Sequence, residues 1–323
     1  MFEKFGQEVF LTITDKDGQV VLDATGLRVD FDVRNINGFS RARVDIYNLT
    51  EKTIGDISTK PAYLTLRTSL HGADNFTLAD KFYISNILEE KILPNSITSL
   101  FCFDSIKYSF LDVPIETAVA NPTLKKCMDT IVAESGCLEK VKYIDFPEKP
   151  GKQFYYDEKT KRKHAFFDGT LQSCIKQLQA AHHNFNIYTL DGGFTCLYKP
   201  GLHNFIRTDL NREKADIVLQ VENMRANPKI GVANLSITSN LDGNIRPAKH
   251  IDISQLVTAG TSEDTEVLFV ADNLLKDYVA GFTKYQVLTT QHKGSNYTAE
   301  WVTTVTATSP KNGNIMSSNT WFK

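Results

Sequence analysis

Two stretches of this chain, about two hundred residues apart, carry one pattern. Residues 81–105 read KFYISNILEEKILPNSITSLFCFDS, and residues 284–308 read KYQVLTTQHKGSNYTAEWVTTVTAT. Each opens on Lys and an aromatic, alternates apolar with polar residues, turns at Pro94-Asn95 or Gly294-Ser295, and returns as a second alternating run. A period of two sends successive side chains to opposite faces, so each stretch predicts a half-buried β-hairpin. Two such hairpins are either one β-domain present twice or parts of unrelated sheets. The residue types alone leave both readings open, because Val, Ile, Thr, Phe and Tyr fill strands of every kind.

The rest of the sequence divides around these hairpins. Residues 1–109 read as nearly all β. Residues 9–14, 20–22, 27–33, 41–47 and 63–68 form short strands, and Asp17-Gly18 is a strong turn. Within 41–47, Ala42, Val44 and Ile46 share one face and Arg43, Asp45 and Tyr47 the other. Thr50 caps one or two helical turns that follow. Strands this short and frequent predict a small barrel or sandwich. Near Leu111 the period changes. Thr123 caps a helix reaching Ser135, with Leu124, Cys127, Met128, Ile131 and Val132 on its apolar face and Gly136 at its C-terminal stop. A second helix runs from about Thr170 to His183, with strands at 186–190 and 194–198 behind it. Residues 110–213 thus predict an α/β domain with a basic loop at 159–163. Strands return over 214–323, at 217–221, 232–239 and the second hairpin. Residues 240–282 form an irregular excursion with a strand at 266–270 and a short helix at 272–279. The fold class is α+β, mainly β.

The chemistry-bearing residues form no catalytic constellation. Thirty-six Lys and Arg against 38 Asp and Glu leave a net charge of −2, which argues against nucleic acid as the main ligand. No apolar run approaches the ~18 residues of a membrane span. The N-terminus lacks the layout of a secretion signal, so the protein is expected to be made and kept in a cytoplasm. Cys102, Cys127, Cys137, Cys174 and Cys196 are irregularly spaced and read as packed thiols. His182 and His183 point about 100° apart on a helix, a poor metal pair. His164, His203, His250 and His292 read as polar surface or capping groups. Glu89-Glu90 and Glu263-Asp264 would serve a glycosidase only if they faced a cleft. Neither a metal nor a cofactor is expected.

Residues 29–57, VDFDVRNINGFSRARVDIYNLTEKTIGDI, resemble the N-terminal segment of the baseplate hub proteins of tailed bacteriophages. There a strand and a loop lead to a second strand ending in I-x-I-Y-N-L or similar, and a short helix follows. Val44, Ile46, Tyr47, Asn48, Leu49 and Thr50 carry the match. His292-Lys293-Gly294-Ser295 and Trp301-Val302-Thr303-Thr304 are similar to the family's last hairpin, and 170–198 to its inserted α/β domain. The resemblance implies two tail-tube-like β-barrel domains, 1–109 and 214–323, flanking the α/β domain at 110–213. It implies a homotrimer whose six barrels join the sixfold tail tube to a threefold central spike. The implied partners are the spike, the tail tube or tube-initiator protein and the tape measure protein. DNA would pass through without specific binding. The implied location is the virion tail, after assembly in the host cytoplasm. Nothing beyond residues 309–323 follows the last hairpin, so no fused enzyme is expected. Strand 41–47 and its exit supply the expected interface edge: Arg43, Asp45, Tyr47, Asn48 and Leu49. A carbohydrate-binding or cell-wall-degrading tail protein is the rival reading.

Overall fold

The computed structural model describes residues 7–70, 74–92, 94–105, 112–120, 122–136, 141–144, 164–181, 185–190, 193–198, 215–230, 234–259 and 283–308. Its contacts divide the molecule into two compact units, Met1–Phe103 with Pro200–Lys323, and Asp104–Lys199.

The first unit opens with β1 (Gln7–Asp15), β2 (Val20–Asp23), β3 (Val29–Asn35) and β4 (Arg41–Tyr47). The β1–β2 turn closes on Asp15, whose Oδ1 accepts from the amides of Asp17 and Gln19, with Gly18 at φ +80°. After β4, Asn48 takes φ +59° and Thr50 caps α1 (Glu51–Ser58) by accepting from the Thr53 amide. β5 (Ala62–Leu70), β6 (Asp74–Ile92) and β7 (Asn95–Phe103) complete this half.

The second unit holds β8 (Pro114–Ala120), α2 (Leu124–Glu134), β9 (Val141–Ile144), β10 (His164–Thr170), α3 (Leu171–Ala181), β11 (Phe185–Leu190) and β12 (Gly193–Tyr198). α2 buries Leu124, Cys127, Met128, Ile131 and Val132, the stripe expected from spacing, with Thr123 as its cap and Gly136 at φ +74°. β8 and β10 pair as an antiparallel ribbon, and β11, β12 and β9 form a small sheet with β9 parallel to β12.

The polypeptide then returns to the first unit with β13 (Ile217–Val218), β14 (Met224–Ile230), β15 (Asn234–Asn240), β16 (His250–Asp252), α4 (Ser254–Ala259), β17 (Lys284–Ser295) and β18 (Trp301–Thr308). The strand expected at 217–221 is only two residues long and gives way to a 3-10 turn at Val221–Asn223. The strand and helix expected at 266–270 and 272–279 lie outside the described residues.

One sheet runs through the whole first unit, in the order β14-β15-β18-β17-β3-β4-β7-β6-β5-β1-β2, with β13 and β16 attached beside β17. Two four-strand groups within it share a layout. In β3-β4-β7-β6 an early hairpin lies beside a later one, and the later one's second strand pairs inward. β14-β15-β18-β17 repeats this order with the same antiparallel pairings. A helix, α1 or α4, lies between the two hairpins of each group. Each half has its own core. One gathers Leu11, Ile13, Val33, Val44, Ile46, Leu64, Leu66 and Leu100. The other gathers Leu235, Ile237, Ile251, Ile253, Val287 and Val305. At ~1.5–3 kcal/mol for each fully buried aliphatic side chain, these cores supply most of the drive for folding.

The two halves are not separate sheets. The last part of β17 pairs with β3, from Thr290↔Asn35 to Ser295↔Asp30, and its first part pairs with β16. The expected turn at Gly294-Ser295 is corrected here. The strand continues through Ser295, and the turn spans 296–300. Gly294 is there for packing. A Cβ at this position would stand 2.5 Å from Cζ of Phe31, whose ring lies edge-on to Trp301 with centroids 6.0 Å apart.

Candidate assembly surface

The sequence predicts an edge at β4, and the structure places that strand in the middle of the sheet. Its backbone pairs with β3 on one side and β7 on the other, so it has no free edge. Leu49 is 9% exposed and belongs to the first core. A leucine leaving a strand beside a capped helix is drawn inward once that helix packs. Arg43, Asp45 and Tyr47 do point outward. Arg43 Nε donates to Asp45 Oδ1 at 3.0 Å. Tyr47 Oη donates to Asp30 Oδ2 at 2.9 Å, and the Arg28 guanidinium lies 3.9 Å from the Tyr47 ring and 4.8 Å from that of Tyr297. Partial burial and the bond to Asp30 together raise the Tyr47 pKa. Asn48 is exposed, and its Oδ1 accepts from the Ser96 amide at 3.1 Å, tying the β4 exit to the β6–β7 hairpin.

The outward face around β4 is a ladder of opposed charges. Asp32 accepts from Arg34 at 2.7–3.2 Å and from Gln291 of β17 at 2.9 Å. Burial pushes the Asp32 carboxyl up, but the Arg34 and Gln291 bonds and the charges of Arg34 and Lys293 outweigh it and hold the pKa below the usual range. Asn296 stitches the end of β3 to the last hairpin, accepting from the Val29 amide at 2.9 Å and donating to the Leu27 carbonyl at 2.6 Å.

Open strand edges lie elsewhere. β6 pairs with β5 only as far as Tyr83, whereas it stays paired with β7 through Ile92. Residues 84–92 therefore have one side of their backbone free of any described strand. This segment is an arm, with Ser85, Asn86, Glu89, Glu90 and Lys91 exposed and Leu88 and Ile92 exposed at 53% and 51%. At the far end of the sheet path, β14 pairs, among the described residues, only with β15 and with irregular register. It contains Pro228, which suits an edge because it offers no amide to a ladder. Its Arg225 and Lys229 are exposed and basic, whereas Glu89 and Glu90 on the arm are acidic. The alternation over 81–92 is legible in the sequence as a strand, but the arm's solvent exposure depends on where β5 stops.

Among the described residues no group of three or more His, Cys, Asp or Glu side chains could hold a metal ion. Cys102, Cys127, Cys174 and Cys196 are free and buried, and burial raises the Cys127 thiol to about 12. Glu89 and Glu90 stand on the arm rather than across a cleft. His250 and His292, expected at the surface, are buried. His182, His183, His203, Cys137, Glu263, Asp264 and the basic loop at 159–163 lie outside the described residues. Among the described residues no helix is long and apolar enough to cross a membrane.

No family model matches the sequence, and no curated protein matches it. Solved structures do match. The 43 kDa tail protein of prophage MuSo2 from Shewanella oneidensis superposes with a TM-score of 0.55, over 95% of this chain and 98% of its own, at 9% identity. The protein has the fold of a phage tail protein. The tail protein from Neisseria meningitidis MC58 shares that fold at 0.54, over 95% and 98% of the two sequences and 8% identity. An Escherichia coli component of the type VI secretion system, itself structurally similar to the T4 tail proteins gp27 and gp5, gives 0.51 over 87% and 73% at 10% identity. At such identity a tail-protein fold is preserved through burial pattern and strand order rather than through particular side chains.

Proposed function

We propose that this protein is a structural hub of a phage tail or kindred injection machine, a homotrimer joining a sixfold tube to a threefold central spike. The observation that carries the reading is the sheet itself. Two four-strand groups of one layout lie side by side in it, and among the described residues it leaves an edge open on the arm of β6 and another on β14. Three subunits with two matched groups each present six similar positions, the count a sixfold tube requires. Unpaired edges seek partners. Two different edges on one subunit make a head-to-tail contact, which closes when the rotation permits. The arm's acidic residues meeting the basic residues of β14 would set the pairing register. The tail tube or tube-initiator protein, the tape measure protein and the spike are the partners on this reading, the virion tail is its location, and it assigns no catalysis.

Native mass measurement tests it. The expected result is a species three times the 36.3 kDa subunit at micromolar concentration, alone or with the spike. A protein that stays monomeric under both conditions overturns the hub.

A further inference from the structure

The outward face of β1, β5 and β6 holds a groove of about 560 Å³, lined by Phe10, Thr12, Thr65, Arg67, Asn75 and Thr77. Strand register gathers these residues. Phe10 stands opposite Arg67 and Thr12 opposite Thr65 across one ladder, and Arg67 stands opposite Thr77 and Ser69 opposite Asn75 across the next. The polar side chains are unequally committed. The Thr65 hydroxyl accepts from the Lys81 amide at 3.2 Å and donates to Asp80 Oδ1 at 3.5 Å. Thr12, Arg67, Asn75 and Thr77 have no side-chain hydrogen bond or ion pair among the described residues. Ser69, beside Asn75 on this face, is 1% exposed, and its hydroxyl has no partner among the described residues. A buried hydroxyl without a partner is uncommon and calls for one. Phe10 is 41% exposed and gives the groove an aromatic surface.

An occupant of this groove has to meet several neutral hydroxyls and an amide at once and also cover a phenyl ring. A sugar ring does both, with hydroxyls around its rim and C–H groups on its faces. The fixed fork of the Arg67 guanidinium spans two adjacent hydroxyls. An extended polypeptide fits less well. β5, at the centre of the groove, is paired on both sides, so a backbone laid over it has no ladder to join and its buried amides go unmet. A nucleic acid fits less well too, because Arg67 is the one cation among the lining residues, and Asp80 and the exposed Glu8 oppose phosphates. We propose that this groove binds a neutral oligosaccharide. One ring rests on Phe10, and its hydroxyls bond Thr12, Arg67, Asn75 and Thr77. The site is complete within one subunit and rests neither on ring formation nor on the hub reading.

Saturation-transfer NMR and calorimetric titration of the full-length protein test the assignment, with maltotriose, cellotriose and N-acetylated chitotriose as probes. At least one is expected to bind with a Kd of about 1 mM or tighter. For that trisaccharide, Phe10→Ala and Arg67→Gln should each weaken binding about tenfold. Arg67 is exposed, so an unchanged melting temperature in Arg67→Gln identifies a lost contact rather than a lost fold. Three results each overturn the proposal: no binding by any of the three sugars up to about 10 mM, parental affinity in Arg67→Gln, or tighter binding of a short oligothymidylate than of every trisaccharide.

Discussion

His292 lies on the inward side of β17, 1% exposed, with Nδ1 3.0 Å from Thr303 Oγ1. Complete burial, with the charge of Arg246 adding to it, lowers its pKa to about 3. An unfolded histidine titrates near 6.5. Between these values the unfolded state takes up a proton that the folded state refuses. The residue's stability contribution is therefore intact above about pH 6.5 and is lost progressively as pH falls toward 3. At pH 4.5 the loss is on the order of 2–3 kcal/mol. His292→Gln retains a polar group near Thr303 without the titration, so its melting temperature should fall less than the parent's between pH 7 and pH 4.5. An equal fall in both proteins would show that His292 does not control the acid response. Gly294→Val, which drives a side chain into Phe31, should cost ~1–3 kcal/mol by thermal or denaturant melting. The inward positions of β3 and β4 are legible in the sequence because their alternation is unbroken. The phase of β17 is not. A bulge between Val287 and Thr289 flips the period, so that Thr290, His292 and Gly294 turn inward after Tyr285 and Val287.

Elements governed by their own residues are legible in the sequence, and those governed by distant partners are not. α1 and α2 begin at Thr50 and Thr123, and Gly136 stops α2, because capping is decided within a single turn. Thr123→Ala should cost about 1 kcal/mol in the second unit, read from its melting transition. β8 and β10 escape such reading because Pro114 pairs with Thr170 and Ala120 with His164, and no adjacent turn announces that ribbon. The same limit applies to the assembly surface. Alternation puts Arg43, Asp45 and Tyr47 on the outward face, yet β4 is paired on both sides and an open edge belongs to β6, whose length beyond β5 no local residue reveals. The arm gives an element-scale test. Leu88→Asp with Ile92→Asp places charge on two already exposed positions, so the protein should fold with little change in far-UV circular dichroism. If the proposed trimer closes through this arm, the native mass should drop to that of a monomer. A double variant that still runs as a trimer would move the contact away from the arm.

Across the whole molecule, β17 makes the two β halves share a sheet, and their unfolding should be coupled. Calorimetry of the first unit's transition should show both cores melting together, and Phe31→Ala should shift that single transition rather than split it. The proposed trimer, closed by backbone pairing, should also persist at high salt, since screening acts on the charges of the arm and leaves amide–carbonyl bonds in place. Native mass measured across a salt series checks this. The seam between β3 and β17 has a further consequence for how the protein is made. Asn35 Nδ2 donates to Thr290 Oγ1, 255 residues later in the sequence. During synthesis β3 emerges from the ribosome long before its partner exists, and its unpaired side stays open through most of translation. Sealing waits for the last hairpin. A polypeptide truncated before residue 284 would therefore leave the ribosome with an additional sticky edge in the centre of the sheet, and quality control would meet it as an aggregation-prone fragment rather than as a shortened subunit.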